Sequence, residues 1–152
     1  MRYLKKIKDY IKHFFLIDDT PHKIAAGFAL GVFWGIMPGE GVGTTLVTAY
    51  FLHFNRLSAT TGVLLSNAWT TFVVLPLATI AGGFVFGVSP EFLINSFRET
   101  YDLGWKYFFT ETIIINILTP FFVGFFIVAF SIALLAYSLL YFILKYNKLK
   151  FR

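Results

Sequence analysis

The chain has 152 residues, of which 57% are hydrophobic and 14% are charged, and its formal net charge is +5. It contains no cysteine, which excludes a disulfide scaffold, and its mean hydropathy of +0.72 excludes a disordered chain. A soluble domain of this size needs polar surface on all sides, and this composition provides too little of it. The sequence therefore predicts an integral membrane protein.

The first segment, residues 1–19, predicts an amphipathic helix on the cytoplasmic leaflet. Its apolar side chains recur at steps of three and four, at Tyr3, Leu4, Ile7, Tyr10, Ile11, Phe14 and Phe15. Lysines fill the other face, which suits anionic headgroups. A soluble helix packed on the domain is the alternative. No small-residue cleavage site follows an apolar core, so we expect no secretory signal.

Residues 23–55 predict a re-entrant helical hairpin whose tip lies within the membrane. The run from Asp18 to Pro21 is a helix-start signal, and the run from Pro38 to Gly43 breaks the apolar helix that follows. A second apolar helix then continues to about Phe54. The two helices measure roughly 22 Å and 17 Å, less than the ~30 Å hydrocarbon core. Two short tilted crossings are the alternative.

The next apolar segment, residues 57–88, is too long for one straight span. Polar residues interrupt it at 66–71, and Pro76 follows the interruption. The segment predicts either a broken crossing helix or a second re-entrant turn followed by a crossing. Ser, Asn and Thr side chains at such a break satisfy the backbone groups that it frees.

The remaining sequence predicts an external segment, a last crossing and a basic tail. Residues 88–111 are amphipathic and carry more acidic than basic side chains, and they include an aromatic interface anchor. A helix from near Glu111 to near Tyr146 follows, which Pro120 is expected to kink. With the basic tail at 147–152, the positive-inside rule places both termini in the cytoplasm. Residues 20–146 are thus predicted to form one all-α, multi-pass membrane domain.

Glycines at every fourth position of the first apolar helix predict close helix packing. Gly27, Gly31 and Gly35 lie on one face of that helix. Small residues at this spacing let another helix approach closely in lipid. We expect a homo-oligomer built on this face, with packing against the chain's own last helix as the alternative.

The first helix break supplies the leading candidate site. Glu40 is the only acidic residue predicted at membrane depth, where a carboxylate must be hydrated, paired or protonated. Its expected donors are the backbone N–H groups around Gly41 and Gly43 and the hydroxyls of Thr44 and Thr45. Such a site would bind a cation, a proton or a headgroup. The alternative is a hairpin tip at headgroup depth with a hydrated Glu40.

The second break contributes Asn67, Trp69 and Thr70. If it meets the first break at the membrane midplane, the discontinuous helices would build one polar cavity, as in many transporters. The alternative is that Asn67 and Thr70 only cap helix ends.

Other chemistry has no support in the sequence. His13, His22 and His53 are scattered, so we expect no metal site and no cofactor. No serine lies in a nucleophile elbow and no carboxylates pair on one helix face, so an enzyme is not expected. No phosphate-binding glycine loop or basic aromatic platform is present, so nucleic acid is not an expected partner.

Four short stretches between residues 20 and 90 carry a family resemblance. They are the run from Pro21 to Gly35, then Pro38, Gly41 and Thr44, then Asn55-Arg56, and then Ser66-Asn67 with Thr70. Together they resemble the bacterial domain of unknown function 2062 family. Two positions depart from the family pattern, which tends to have glutamine at Gly43 and proline at Ala68.

The resemblance implies a protein of the bacterial inner membrane. Some relatives look like fusions to family-2 glycosyltransferases, which points to lipid-linked sugars. Combined with the two helix breaks, it predicts a small transporter of an anionic lipid-linked carrier or a small solute, with membrane lipids as partners. The alternatives are a membrane scaffold that docks a glycosyltransferase and a small oligomeric ion channel.

Overall fold

The computed structural model describes residues 19–39, 41–67 and 73–150, and it describes the side chains of these residues except Asn67, Trp105 and 147–150. The predicted N-terminal helix up to residue 18, Glu40, Trp69 and Thr70 lie outside the described residues. Within the described part the chain forms helices and no strands, so the all-α prediction is confirmed.

The described chain contains six main helices joined by short turns. They are α1 (Pro21–Ile36), α2 (Val42–Phe51), α3 (Arg56–Asn67), α4 (Leu75–Phe86), α5 (Pro90–Leu103) and α6 (Thr119–Lys150). A 3-10 helix (Trp105–Phe109) follows α5, and a short α-turn (Glu111–Ile113) and a π-helical segment (Ile114–Leu118) lead directly into α6.

The helix α1 begins and ends as its sequence predicts. The Thr20 hydroxyl accepts a hydrogen bond of 3.3 Å from the Lys23 N–H, and Pro21 occupies the first turn, where it costs no hydrogen bond. Pro38 disfavours helical backbone at the residue before it, so the helix stops. Gly39 then turns the chain with a φ of 83°, a conformation that favours glycine.

The helix α2 is shorter than predicted and returns the chain to the start of α1. It begins at Val42 rather than Thr44, because Gly41 already adopts the extended backbone of an N-cap. It ends at Phe51, and His53 follows with a left-handed φ of 56°. The Phe54 ring then meets the His22 ring edge-on at 6.0 Å between centroids, which closes the hairpin.

The helices α1 and α3 run parallel in close contact. Gly27 lies against the backbone of Asn55, and eight residues further along α1 Gly35 lies against Ser66. Because α2 runs between them, α1, α2 and α3 form an up-down-up unit. The α1–α3 contact is the most extensive helix pairing of the described chain.

The helix α6 runs antiparallel to both α1 and α4. Along α1, His22 meets Tyr137 and Phe33 meets Phe126. Along α4, Gly82 lies against the carbonyl of Pro120. The helices α3 and α4 therefore continue in the same direction on either side of the second break.

The main core lies where α1, α4, α5 and α6 meet. Its buried members are Val32, Ile36, Val74, Ala78, Leu93, Ile117, Phe121, Phe125, Val128 and Ala129. Burying these apolar side chains stabilises the bundle, and it fixes α6 against both α1 and α4.

The predicted external segment 88–111 contains α5 and the 3-10 helix. Gly87 ends α4 in a left-handed conformation with a φ of 67°, and α5 leaves at 110° to α4. Ser89 caps α5 by accepting a hydrogen bond from the Phe92 N–H. The helix buries Leu93 and Thr100 and exposes its charged side chains.

The kink expected at Pro120 is a π-helical segment that ends at Leu118, two residues before the proline. Pro120 has no N–H and would clash with the carbonyl four residues earlier in a regular helix. The wider turn of Ile114–Leu118 accommodates this, and the Thr119 hydroxyl donates to the Ile114 carbonyl at 2.8 Å.

In the described part of the chain, one helix is long and apolar enough to cross a membrane. It extends from Glu111 to Tyr146. The pair α4 and α5 meets the same length and composition criteria together, but the bend of 110° separates the two helices.

Candidate functional site

The ends of α1 and α3 meet, which brings the flanks of the two helix breaks together. Gly35 lies near the end of α1, and a side chain at this position would overlap the Ser66 hydroxyl near the end of α3. The Ser66 hydroxyl also donates within its own helix, to the Gly62 carbonyl at 2.9 Å. The two breaks therefore start from one place in the fold.

An open crevice of about 460 Å³ lies beside this meeting point. It lies between α1, the end of α3, the residues that precede α4, and α6. Its lining residues are Val32, Ile36, Leu65, Ser66, Val73, Val74, Ile132 and Ala136. Among the described residues of this lining Ser66 is the one with a polar side chain, so the described surface suits a hydrocarbon group better than a hydrated ion.

One of the two hydroxyls predicted as donors at the first break, that of Thr45, bonds to the backbone. Thr45 is fully buried, and its hydroxyl donates to the Gly41 carbonyl at 2.9 Å, so its proton serves the backbone of α2. Thr44 is partly exposed, and Gly43 is exposed with open space where a side chain would lie. The first turn of α2 has no side-chain cap from a described residue.

The second break is described only at its two ends. Asn67 is the last residue of α3, and α4 begins at Leu75. The sequence predicts a polar cavity shared by the breaks, whereas the lining described beside them is mainly apolar. Trp69, Thr70 and the side chain of Asn67 lie outside the described part of the chain, so the shared polar cavity stays a prediction.

The predicted glycine face packs inside the chain, against α3. Besides the contacts of Gly27 and Gly35, a side chain at Gly31 would overlap the carbonyl of Ala59. From the other side, Gly62 of α3 lies against the carbonyl of Phe28. The partner of this face is therefore neither a second copy nor the last helix, and the face gives no argument for a homo-oligomer.

A polar cluster at the opposite end of α1 was missed by the sequence reasoning. Asn55 makes three hydrogen bonds that join two segments: its N–H donates to the Lys23 carbonyl at 3.1 Å, its amide nitrogen donates to Asp19 at 3.3 Å, and its amide oxygen accepts from the Ser58 N–H at 2.8 Å. The buried Ser58 hydroxyl donates to the Ile24 carbonyl at 2.7 Å. Asn55 thus caps α3 and fixes it to the start of α1.

His22 extends the cluster to α6. Its Nδ1 lies 2.9 Å from the Tyr137 hydroxyl, and the two rings meet edge-on at 5.8 Å. Lys23 forms an ion pair of 3.6 Å with Asp19, and the Arg56 guanidinium lies over the Tyr50 ring at 4.7 Å. The residue pairs His22-Lys23 and Asn55-Arg56 both belong to the family resemblance, which was the available signal that they act together.

The fold and these two regions define a class: a small all-helical protein in which a three-helix unit carries an apolar crevice at one end and a polar cluster at the other. The chain belongs to the domain of unknown function 2062 family, described as an uncharacterised protein conserved in bacteria, whose model matches residues 4–151. The match extends well beyond the 20–90 region of the resemblance. Neither the curated proteins nor the solved structures contain a match to this chain.

Proposed function

We propose that this protein is a small integral protein of the bacterial inner membrane that moves a lipid between leaflets. The observation that carries the proposal is the open apolar crevice beside the meeting point of Gly35 and Ser66. A hydrocarbon chain fits such a crevice, and the adjoining ends of α1 and α3 offer backbone polar groups to a headgroup. Of the two predicted substrates, a lipid-linked carrier and a small solute, an apolar crevice favours the carrier because it is a lipid.

An apolar exterior supports the membrane assignment. Large hydrophobic side chains are exposed on α4 and α6, among them Phe84 at 89% and Phe142 at 68%. Contiguous apolar surface of this kind is unstable in water and stable in lipid. The residue ranges 57–88 and 112–144 contain no Asp, Glu, Lys or Arg.

The charged residues support one orientation. Glu91, Glu99 and Asp102 lie on α5, whereas Lys23, Arg56 and Lys145 lie at the opposite end of α6 and the three-helix unit. The positive-inside rule then places the Lys23 end in the cytoplasm and α5 outside.

The helix directions support a re-entrant topology. In this topology α1 and α2 enter from the cytoplasm and return, α3 and α4 cross as one broken helix, and α6 crosses back. Because α1 has 16 residues and α2 has 10, they reach roughly 24 Å and 15 Å into a ~30 Å core. The hairpin tip, with Glu40, would then lie inside the membrane.

An anionic headgroup suits the hairpin tip. The first turn of α2, which no side chain of a described residue caps, lies at the positive end of a helix dipole, which favours a phosphate. Glu40, two residues before α2, would then act as a proton-linked gate, because a phosphate and an ionised carboxylate repel one another.

Transfer of a fluorescent lipid in proteoliposomes tests the proposal. Vesicles with and without the purified protein carry a headgroup-labelled anionic lipid in both leaflets, and a membrane-impermeant reductant quenches the outer leaflet. The proposal predicts that the protein lets the reductant consume the inner-leaflet signal. A rate equal to that of protein-free vesicles contradicts lipid transfer.

Two controls separate the alternatives. Extraction of native membranes with alkaline carbonate leaves an integral protein in the pellet, so release into the supernatant contradicts the membrane assignment by itself. A protein that stays in the pellet and transfers no lipid instead fits the predicted scaffold for a glycosyltransferase. Retention of an entrapped ion-sensitive dye excludes leakage through a channel as the source of the quenching.

A further inference from the structure

A continuous band of cations and tyrosines runs through the polar cluster at one end of the protein. Arg56 lies over Tyr50 at one side of the band, and Lys145 lies over Tyr141 at the other, 5.6 Å from the ring centroid. The contacts Tyr141–Tyr137, Tyr137–His22 and Asn55–Lys23 connect the two sides. We name this set, with Asp19, the cationic belt.

The belt carries an excess of positive charge on accessible side chains. Lys23, Arg56 and Lys145 are exposed, and Asp19 is the one acidic residue within it. Asp19 pairs with Lys23 and is the less exposed partner, with 23% of its side chain accessible against 46% for Lys23. Arg56 and Lys145 each rest on a tyrosine face, and neither forms an ion pair with a described carboxylate, so their charges can attract an anion.

Exposed apolar side chains lie among the residues of the belt, after Tyr50 on α2 and between Tyr137 and Lys145 on α6. Phe51, Leu139 and Phe142 are exposed next to it, at 71%, 65% and 68%. A surface on which hydrocarbon side chains, tyrosines and cations lie side by side is typical of the interface between acyl chains and headgroups.

We propose that the cationic belt is a binding surface for anionic phospholipid headgroups, with Arg56 and Lys145 as the residues that contact the phosphodiester. Each cation next to an anionic leaflet contributes favourable electrostatic energy, and the tyrosine beneath it fixes its height in the interface. The inference rests on the membrane placement in the proposed function and not on lipid transfer. It therefore concerns which lipids surround the protein and not which lipid moves.

Enrichment of lipids around the purified full-length chain tests the belt. The protein is incorporated into nanodiscs from an equal mixture of phosphatidylglycerol and phosphatidylcholine, and the lipids that stay bound after mild detergent exchange are measured by mass spectrometry. We expect phosphatidylglycerol to be enriched around the wild type, and the enrichment to fall at high salt because the contacts are electrostatic.

A matched pair of double variants makes the test specific. Arg56→Gln with Lys145→Gln removes two cations from the belt, and we expect the enrichment to fall by roughly fivefold for each cation. Arg98→Gln with Lys106→Gln removes the same charge from the opposite end and should leave the enrichment unchanged. Circular dichroism melting of all three proteins verifies that they fold.

Two results overturn the inference. One is an enrichment of phosphatidylglycerol that is equal in the wild type and the belt variant, and the other is an equal loss in the belt and control variants. A failure of lipid transfer with an intact enrichment contradicts the proposed function and leaves the belt supported, so the two claims fail separately.

Discussion

Gly31 of α1 lies directly against the backbone carbonyl of Ala59 in α3. The contact leaves no room for a methyl group. The atoms opposite Gly31 belong to the α3 backbone, which cannot move aside as a flexible side chain can. Glycine at this contact lets the two parallel helices pack closely, backbone against backbone. The position of the crevice depends on this contact, because α1 and α3 line it together.

Substitution of Gly31 with Ala is expected to lower the thermal unfolding temperature in detergent markedly. The added Cβ forces the two backbones apart, and this strain exceeds the roughly 1 kcal/mol that alanine gains over glycine in a helix. Gly43→Ala is the matched control, because its Cβ meets open space at the start of α2. Equal unfolding temperatures for Gly31→Ala and the wild type would show that the helices are not in this contact.

Removal of the Ser58 hydroxyl is expected to loosen α3 from α1. The hydroxyl is buried and donates 2.7 Å to the Ile24 carbonyl, so Ser58→Ala should cost about 0.5–1.5 kcal/mol of unfolding free energy. Ser138→Ala removes an exposed hydroxyl that bonds only within α6 and should cost much less. Chemical denaturation of both variants in detergent makes the comparison, and equal losses would refute a special role for Ser58.

Tyr137→Phe is expected to weaken the contact between the three-helix unit and α6. The substitution keeps the ring against His22 and removes only the hydroxyl that lies 2.9 Å from Nδ1. The expected loss is about 0.5–1.5 kcal/mol in denaturation, as for other single hydrogen bonds. Tyr146→Phe, which alters a ring that is 73% exposed, serves as the control and should leave stability unchanged. A loss in the control as large as in Tyr137→Phe would contradict the assignment.

Glu40→Gln is expected to leave the fold intact and to impair lipid transfer, with an altered pH dependence. A carboxylate at membrane depth costs about 2.5–3.5 kcal/mol on insertion scales, so it titrates or binds a partner, and glutamine does neither. The transfer assay at several pH values measures the change. Loss of folding without a separable effect on transfer would favour a structural role, and full activity at every pH would remove Glu40 from the mechanism.

The sequence predicts helix boundaries well wherever a side chain fixes them locally. Thr20 and Pro21 mark the start of α1 and Pro38 marks its end, because caps and proline act within a few residues. The sequence predicts that α2 begins two residues after its actual first residue, Val42. The difference arises because Gly41 adopts N-cap geometry without a capping side chain of its own. The sequence predicts a disturbance of the helix at Pro120, but it does not predict that the disturbance is a π-helical segment.

Long-range partners could not be derived from the sequence in the same way. The spacing of Gly27, Gly31 and Gly35 predicts a packing face. The spacing alone does not distinguish α3, a second copy and the last helix as the partner of that face. Likewise Asn55 joins Asp19 and Lys23 across more than thirty residues of chain, and only the hairpin of α1 and α2 brings them together.

The structure shows where the flanks of the two breaks meet, and the shared site itself stays a prediction because Glu40, Trp69 and Thr70 lie outside the described residues. Two breaks that carry polar residues predict a shared polar cavity, and the structure does bring their flanks together at Gly35 and Ser66. The described lining beside them is nevertheless mostly apolar, because α1 and α6 contribute half of its side chains and Leu65, Val73 and Val74, at the edges of the second break, are themselves apolar.

Comparison of Val73→Trp with Leu77→Trp in the lipid transfer assay tests the central claim most directly. The two side chains are similarly exposed, at 49% and 45%, but Val73 lines the crevice and Leu77 lies outside it. The account predicts that Val73→Trp fills the crevice and lowers transfer towards the rate of protein-free vesicles, while Leu77→Trp transfers lipid like the wild type. Equal transfer by both folded variants would contradict a lipid path through the crevice.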